Sequence, residues 1–567
     1  MLFILLSWIY ILTISSIIGV SFNRLFKIHK QHPTVTIFLG FFSISLLTGC
    51  YAIWFPIDVT FQVALVTLTL ILFFINKSLI VSYICLVKQK IELLNTFNKI
   101  LFTCISVLIL AQCASPPFII DNESYYIQTI KWLNEYGYVK GLVNLHLFLG
   151  QTSGWHVLQS AFNFSFIYDR FNDMSGLALI LGNFYAISHL NKYIINTDKS
   201  KIDLSLGLFP VFNIFFFQFI GAPSPDIAIY VLALMMFHQF ILCFNEYNRS
   251  RFIIILSLVL FMVFIKLTAL PFCLLTIILF KRHYVFTRSI RLQTLGLTIL
   301  TIVLILTKNI IITGNPLFPI NSLDMFQATW SLPESIQSYF SLYGKASTYN
   351  MLPENFEQVS WVSRFKHWIQ ASGLHGLFNK AIIGLFIIMP LIIYNFYHKK
   401  AYWIIYLMAV VSFISLLFIA PQYRFYFPHL MIFSFLVLAL IVLRKKSIQV
   451  LMAFSTLLAL IPLFFEINNK RFTSNTNHNT TSVFKLDYVI EPHSNSRYPS
   501  IYNTIKLENL KVNIPADIDF FWSTGNVPIP AINKKHLKYF ETNFNVIPQK
   551  HSENLKDGFY SKNIYSD

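Results

Sequence analysis

Charge is the scarcest property of this 567-residue chain: 12% of residues are Asp, Glu, Lys or Arg, against about 25% in soluble domains. Acid is rarer than base, 25 residues against 43. Together with 55% hydrophobic residues and a mean hydropathy of +0.60, this shortage excludes an ordinary soluble enzyme and indicates a polytopic membrane protein. The +18 formal charge does not signal nucleic-acid binding, because the basic residues fall in short clusters between apolar runs, as topology signals do. Cysteine is also sparse. Cys50, Cys85, Cys104, Cys113, Cys243 and Cys273 all lie in or beside apolar runs, where a thiol behaves as a small apolar group. Neither a disulfide framework nor a Cys-based metal site is therefore expected outside the membrane.

A helix needs about 20 apolar residues to cross the bilayer. Runs of that kind fall near 2–22, 35–55, 60–76, 100–117, 174–190, 203–220, 226–244, 293–312, 377–394, 401–420, 424–443 and 448–466. The stretch 252–280 is flanked by Arg249 and Arg251 on one side and by Lys281, Arg282, Arg288 and Arg291 on the other. Both its ends then read as cytoplasmic, which predicts a hairpin broken around Lys266 to Pro271. The expected fold is an all-α polytopic membrane protein of about 12–14 transmembrane helices with a small C-terminal α+β extracytoplasmic domain.

Basic residues orient the spans. Arg24, Lys27 and Lys30 follow the first run, so the N-terminus is expected outside, with no cleavable signal peptide. Alternation from there places Lys88/Lys90/Lys99, Lys192/Lys199/Lys201, Lys399/Lys400 and Arg444/Lys445/Lys446 inside. The chain divides into N-terminal spans (1–117), a first long external loop with interface helices (118–173), a transmembrane core (174–466) with a second external loop (313–376), and an extracytoplasmic tail domain (467–567). That tail opens on a polar linker, Asn468 to Thr481, and continues with strand-like alternation over Ile505 to Val512 and the aromatic cluster Phe520-Phe521-Trp522.

Two carboxylates, Asp121 and Glu123, emerge just past the fourth run in Pro116-Pro117-Phe118-Ile119-Ile120-Asp121-Asn122-Glu123. Ionisable groups at a bilayer boundary are costly unless hydrated, paired or used, so this pair marks a functional site by default. Its bland rival is a helix cap: Tyr126, Ile130 and Leu133 repeat at helical spacing, and Gly137 suits a C-cap, so an aromatic-rich amphipathic helix in the membrane interface follows. Asp226, after Gly221-Ala222-Pro223-Ser224-Pro225, is a third boundary carboxylate with the same two readings. Lys266 at the hairpin tip either snorkels or contacts an anion. Arg424, in Pro421-Gln422-Tyr423-Arg424-Phe425, is a guanidinium against the inward bias of base, suited to bidentate phosphate binding or equally to an ion pair or lipid headgroup contact. Lys308 and the turn Thr313-Gly314-Asn315-Pro316 are weaker signals. So are His146 and His156, which flank Gly150 to Trp155 without metal-site spacing.

A first long external loop with an acidic pair just after a transmembrane helix resembles the GT-C superfamily of polyprenyl-phosphate-sugar glycosyltransferases, which includes protein mannosyltransferases and the lipid A aminoarabinose transferase. More closely, Ile130-Lys131-Trp132, Tyr136-Gly137 and Lys140 to His146, with Ser224-Pro225-Asp226 and Gly314-Asn315-Pro316, resemble a family of uncharacterised bacterial multi-spanning membrane proteins placed near that superfamily. The resemblance spans roughly 115–430, with an echo at Trp522 to Pro530. It implies transfer of a sugar from an undecaprenyl-phosphate donor at the outer face of the bacterial inner membrane to a glycan, lipid or protein acceptor. Asp121 matches the superfamily's first-loop catalytic acid. Glu123 matches the second acidic position, which in some members holds a divalent metal, so a divalent cation on Asp121 and Glu123 is the one cofactor it suggests. Asp226, Lys266, Arg424 and His146 are the substrate-binding candidates. Three extra spans before the catalytic loop and the absence of cysteines from the tail depart from the pattern. Other readings are an O-antigen-type polymerase or ligase, a transporter or flippase for lipid-linked sugars, and a non-catalytic relative.

Overall fold

A computed structural model of the protein describes residues 1–29, 31–164, 173–287, 290–320, 328–468 and 480–565. Lys30, Arg288 and most of the polar linker after Asn468 lie outside the described residues. Among the described residues ten helices are long and apolar enough to cross a membrane, or eleven if Val59–Ile75 and Lys77–Glu92, bent by 92°, form one span. They coincide with the apolar runs to within a few residues, and the protein is a multi-pass membrane protein.

The difference from 12–14 has physical causes. Met174–Ile195 has the length, but Asn183, His189, Asn191 and Lys192 dilute it; Arg249–Ile265 has 17 residues. That second helix ends where the hairpin break was expected. Lys266 leaves the helix in an extended conformation, a 3₁₀ turn runs over Leu267–Phe272, and a short helix follows at Cys273–Arg282. A helix end packed inside the protein leaves backbone carbonyls that must find donors. The Ser153 hydroxyl supplies one, donating to the Ile265 carbonyl at 2.8 Å.

Pro225–Asn245 is the axial helix. Its apolar residues run all round it, and it is almost wholly buried, as a helix without a polar face must be. Lys400–Ile419 is peripheral instead. Leu407, Val411, Ile414 and Phe418, spaced four, three and four apart, form an exposed apolar stripe of the kind lipid covers.

The tail forms a small α+β region. A hairpin pairs β1 (Tyr502–Leu507) with β2 (Leu510–Pro515), and a second pairs β3 (Val546–Lys550) with β4 (Phe559–Asn563), with the helix Lys534–Phe544 between. The alternation over Ile505 to Val512 is thus two strands, not one: the chain turns at Glu508 and Asn509, with Glu508 at φ +47°.

The tail also corrects the expected interface helix. Ile127–Tyr136 forms, but Gln128 and Lys131 on its polar side meet protein, and Glu135 stays exposed. Gln128 Nε2 donates to the Gly525 and Val527 carbonyls, and Lys131 Nζ to those of Asn526 and Val527. Lys556 Nζ donates to Tyr136 and Tyr138, and the Phe559 amide to Lys140. The tail therefore roofs the first loop.

Candidate functional site

The diprolyl Pro116-Pro117 follows the helix Thr96–Ala114 and forces an extended approach to Asp121. The helix that begins there opens with a π-helical turn, Asn122–Tyr126, a wider turn often found at functional sites. The wide turn brings residues five apart onto one side, and the Tyr126 hydroxyl donates to Asp121 Oδ2 at 3.4 Å. Asp121 makes no side-chain cap. Its carboxylate instead receives Arg424 Nη1 at 2.6 Å, across 303 positions of sequence.

Asp226 completes the arrangement. Ser224 takes the capping role at the start of its helix, accepting from the Asp226 amide at 3.4 Å, with Pro225 at the first helical position. The Asp226 side chain is thereby left to bind cations. Its Oδ1 is bonded to Lys266 Nζ, and its Oδ2 lies 3.6 Å from Arg424 Nη1. Arg424 Nη2 donates to Gln422 Oε1 at 3.0 Å, and Lys266 Nζ lies 5.1 Å from the centre of the Phe425 ring. Two carboxylates and two cations, drawn from the first loop, two helix starts and a helix break, thus form one chain: Asp121, Arg424, Asp226, Lys266. Asp226 is sealed at 2% side-chain exposure, while Asp121 and Arg424 at 21% and Lys266 at 19% stay in reach of a ligand.

The cluster lies at one end of the bundle. Asp226 and Arg424 begin their helices, whereas Arg249 and Lys445 follow the far ends of those same helices. Four of the six residues chosen from sequence are thus brought together, and neither the Asp226 cap reading nor the Lys266 snorkel reading is what the side chains do.

Glu123 is not at this cluster. Two positions beyond Asp121, it turns toward the tail: Oε1 accepts from the Arg497 amide at 2.9 Å, and its carbonyl accepts from Thr524 and Gly525. Asp121 and Glu123 therefore do not converge on a common metal, and no group of three or more His, Cys, Asp or Glu among the described residues could hold one. Burial pushes the Glu123 carboxyl up to about 7, against the opposing hydrogen bond from Arg497. Such a group binds its proton more tightly folded than unfolded, so stability falls as pH rises from the ordinary carboxylate range to about 7. The thermal midpoint of the purified protein is expected to drop between pH 5 and pH 8, and Glu123→Gln to flatten that slope, a difference on the order of a few kcal/mol. An unchanged slope in the variant would show that the Glu123 carboxyl does not take up its proton on folding in this range.

His146 is also elsewhere. Nδ1 accepts from the Phe148 amide at 3.2 Å, capping the loop's own 3₁₀ turn, and Nε2 bonds the Trp522 carbonyl at 2.8 Å, holding loop to tail, so both nitrogens are used. Burial brings its pKa down to about 4, which keeps it neutral. Lys308 is bonded to the Thr152 carbonyl and serves the same loop. Sequence reading missed Tyr126 and Gln422. An α-helical period hides the i, i+5 relation of Asp121 and Tyr126; Gln422 left a trace only as a polar neighbour of Arg424.

The fold and this cluster define a class: a multi-pass membrane protein with a partly open ion-pair network at one end of its helix bundle. Within it, the chain belongs to the family described as a domain of unknown function, DUF8201, whose model matches residues 1–431. That stretch contains all four cluster residues and excludes the two-hairpin tail. No curated protein and no solved structure matches the chain.

Proposed function

We propose that the protein is a membrane glycosyltransferase that moves a sugar from a polyprenyl-phosphate donor to an acceptor at the outer face of the bacterial cytoplasmic membrane, with Asp121 as the base. The observation that carries this reading is the convergence of Asp121, Asp226, Lys266 and Arg424 on one partly exposed place at one end of the helix bundle. The donor phosphate competes with Asp121 for Arg424. Once the guanidinium turns to phosphate, the Asp121 carboxylate is free to take the proton of the acceptor hydroxyl or amine. The acceptor atom bonds to the anomeric carbon, the bond from that carbon to the phosphate oxygen breaks, and its electron pair leaves on phosphate, where Lys266 and Arg424 balance the charge. Asp226 touches no reacting atom and holds the two cations in register.

The test is a profile of envelope glycans and glycolipids from a deletion strain carrying the wild-type or the Arg424→Lys protein. Lysine cannot span Asp121, Asp226 and Gln422 as the planar guanidinium does, and a fall in product of about tenfold or more is expected. Normal product at normal protein level would sink the assignment. Dependence on a lipid-diphosphate oligosaccharide would point to a polymerase or ligase, and lipid translocation without transfer in liposomes to a flippase. One observation favours a non-catalytic relative: the two carboxylates and two cations already neutralise one another, as a purely structural clasp would. In that case Arg424→Lys lowers stability and leaves every glycan unchanged.

A further inference from the structure

The helix expected to lie in the membrane interface is roofed by the tail, but another helix carries that pattern openly. Trp361–Ile369, Trp-Val-Ser-Arg-Phe-Lys-His-Trp-Ile, places Trp361, Val362, Phe365, Trp368 and Ile369 on one side and Ser363, Arg364, Lys366 and His367 on the other, with no acid among its nine residues. Its apolar side is only partly used by the protein. Trp368 is fully buried and Trp361 half-exposed, while Val362 is 76% exposed.

The surroundings say what covers the rest. The Trp361 ring stacks on Phe418 at 5.7 Å and 14°. Phe418 ends the exposed stripe of Leu407, Val411 and Ile414 along a membrane-crossing helix, so Trp361 and Val362 continue the lipid-facing band at its rim. Lys366 and His367 are exposed on the opposite side, where headgroup phosphates stand above such a rim. Tryptophan with a basic face at this level is the signature of a helix lying in the interface.

We infer that Trp361–Ile369 is an in-plane membrane-contact helix, seated in the headgroup layer with Trp361 and Val362 toward acyl chains and Lys366 toward anionic lipid phosphates. This goes beyond the transferase reading and does not depend on it. The helix is tied to the charged cluster: Trp368 Nε1 donates to the Pro421 carbonyl at 2.8 Å, and the Trp368 carbonyl accepts from Asn379 Nδ2 at 2.6 Å, whose Oδ1 is bonded to Tyr426. Pro421 and Tyr426 bracket Arg424, so lipid contact at Trp361 fixes the depth of the guanidinium by a short path of bonded groups.

A photoreactive amino acid at position 362 of the full-length protein tests this in nanodiscs of phosphatidylglycerol and phosphatidylcholine. Illumination is expected to give phospholipid adducts at position 362, as at position 418, with phosphatidylglycerol over-represented. Lys366→Glu should lower that excess by about fivefold. Adducts at 418 without adducts at 362 would overturn the assignment. A cross-linked dimer through 362 would overturn it in favour of a second copy, and adducts without preference for the anionic lipid would overturn the role given to Lys366.

Discussion

Asp121→Asn is expected to remove about 10²- to 10⁴-fold of transfer while the protein still accumulates and folds. The amide keeps the shape of the carboxylate and still accepts from Tyr126 and Arg424, so the loop has no reason to move. It cannot take a proton from an attacking hydroxyl or amine. Arg424 keeps Asp226 as a counter-ion shared with Lys266 and is itself partly exposed, so the positive charge left over can be hydrated. Donor binding gives a second readout with a sign of its own. If Asp121 and the donor phosphate compete for Arg424, the asparagine variant binds a polyprenyl phosphate more tightly than wild type while turning over far more slowly. Loss of product with donor affinity also lost would place Asp121 in substrate binding and not in proton transfer. Unchanged product would end the base assignment.

What sequence could and could not reveal follows from the range of the forces involved. Span positions were legible because the bilayer demands about 20 apolar residues in a row and basic flanks mark one side; the break near Lys266 followed from charge parity alone. Charge scarcity also made Asp121, Asp226, Lys266 and Arg424 conspicuous individually. Their mutual pairing was not legible, since contacts such as Asp121 with Arg424 are made by packing of distant helices and leave no local spacing. Glu123 shows the opposite failure. Its neighbour in sequence suggested a shared role, but two steps along a wide helical turn separate the side chains toward different partners, the cluster and the tail. His146 failed for a similar reason: a buried imidazole between the Phe148 amide and the Trp522 carbonyl looks in sequence like any loop histidine. The amphipathic pattern of Ile127–Tyr136 was real, yet the pattern does not say whether a polar face meets water or the carbonyls of a domain some 400 residues away.

Asp226 inverts the expectation for Asp121. Its side chain is 2% exposed and is shared by Lys266 and Arg424, so removing its charge leaves Lys266 without its carboxylate and Arg424 with Asp121 alone. Breaking a buried pair by deleting one partner costs about 3–5 kcal/mol, because the remaining charge is neither paired nor hydrated. Asp226→Asn should therefore lower the thermal midpoint of the purified protein markedly, and more than Asp121→Asn does, even though Asp226 is given no chemical step. The paired change Asp226→Leu with Lys266→Met removes both charges of the most buried pair and leaves Arg424 balanced by Asp121. It is expected to restore most of the lost stability, since apolar replacement of a buried pair is often neutral or better. Activity should not return with it, because the leaving phosphate would face one cation in place of two. Thermal unfolding and product yield measured on these variants therefore separate the two uses of the cluster. A double variant that recovers both would show that Lys266 and Asp226 form a structural clasp only, and one that recovers neither would show that the hairpin tip depends on that ion pair for its fold.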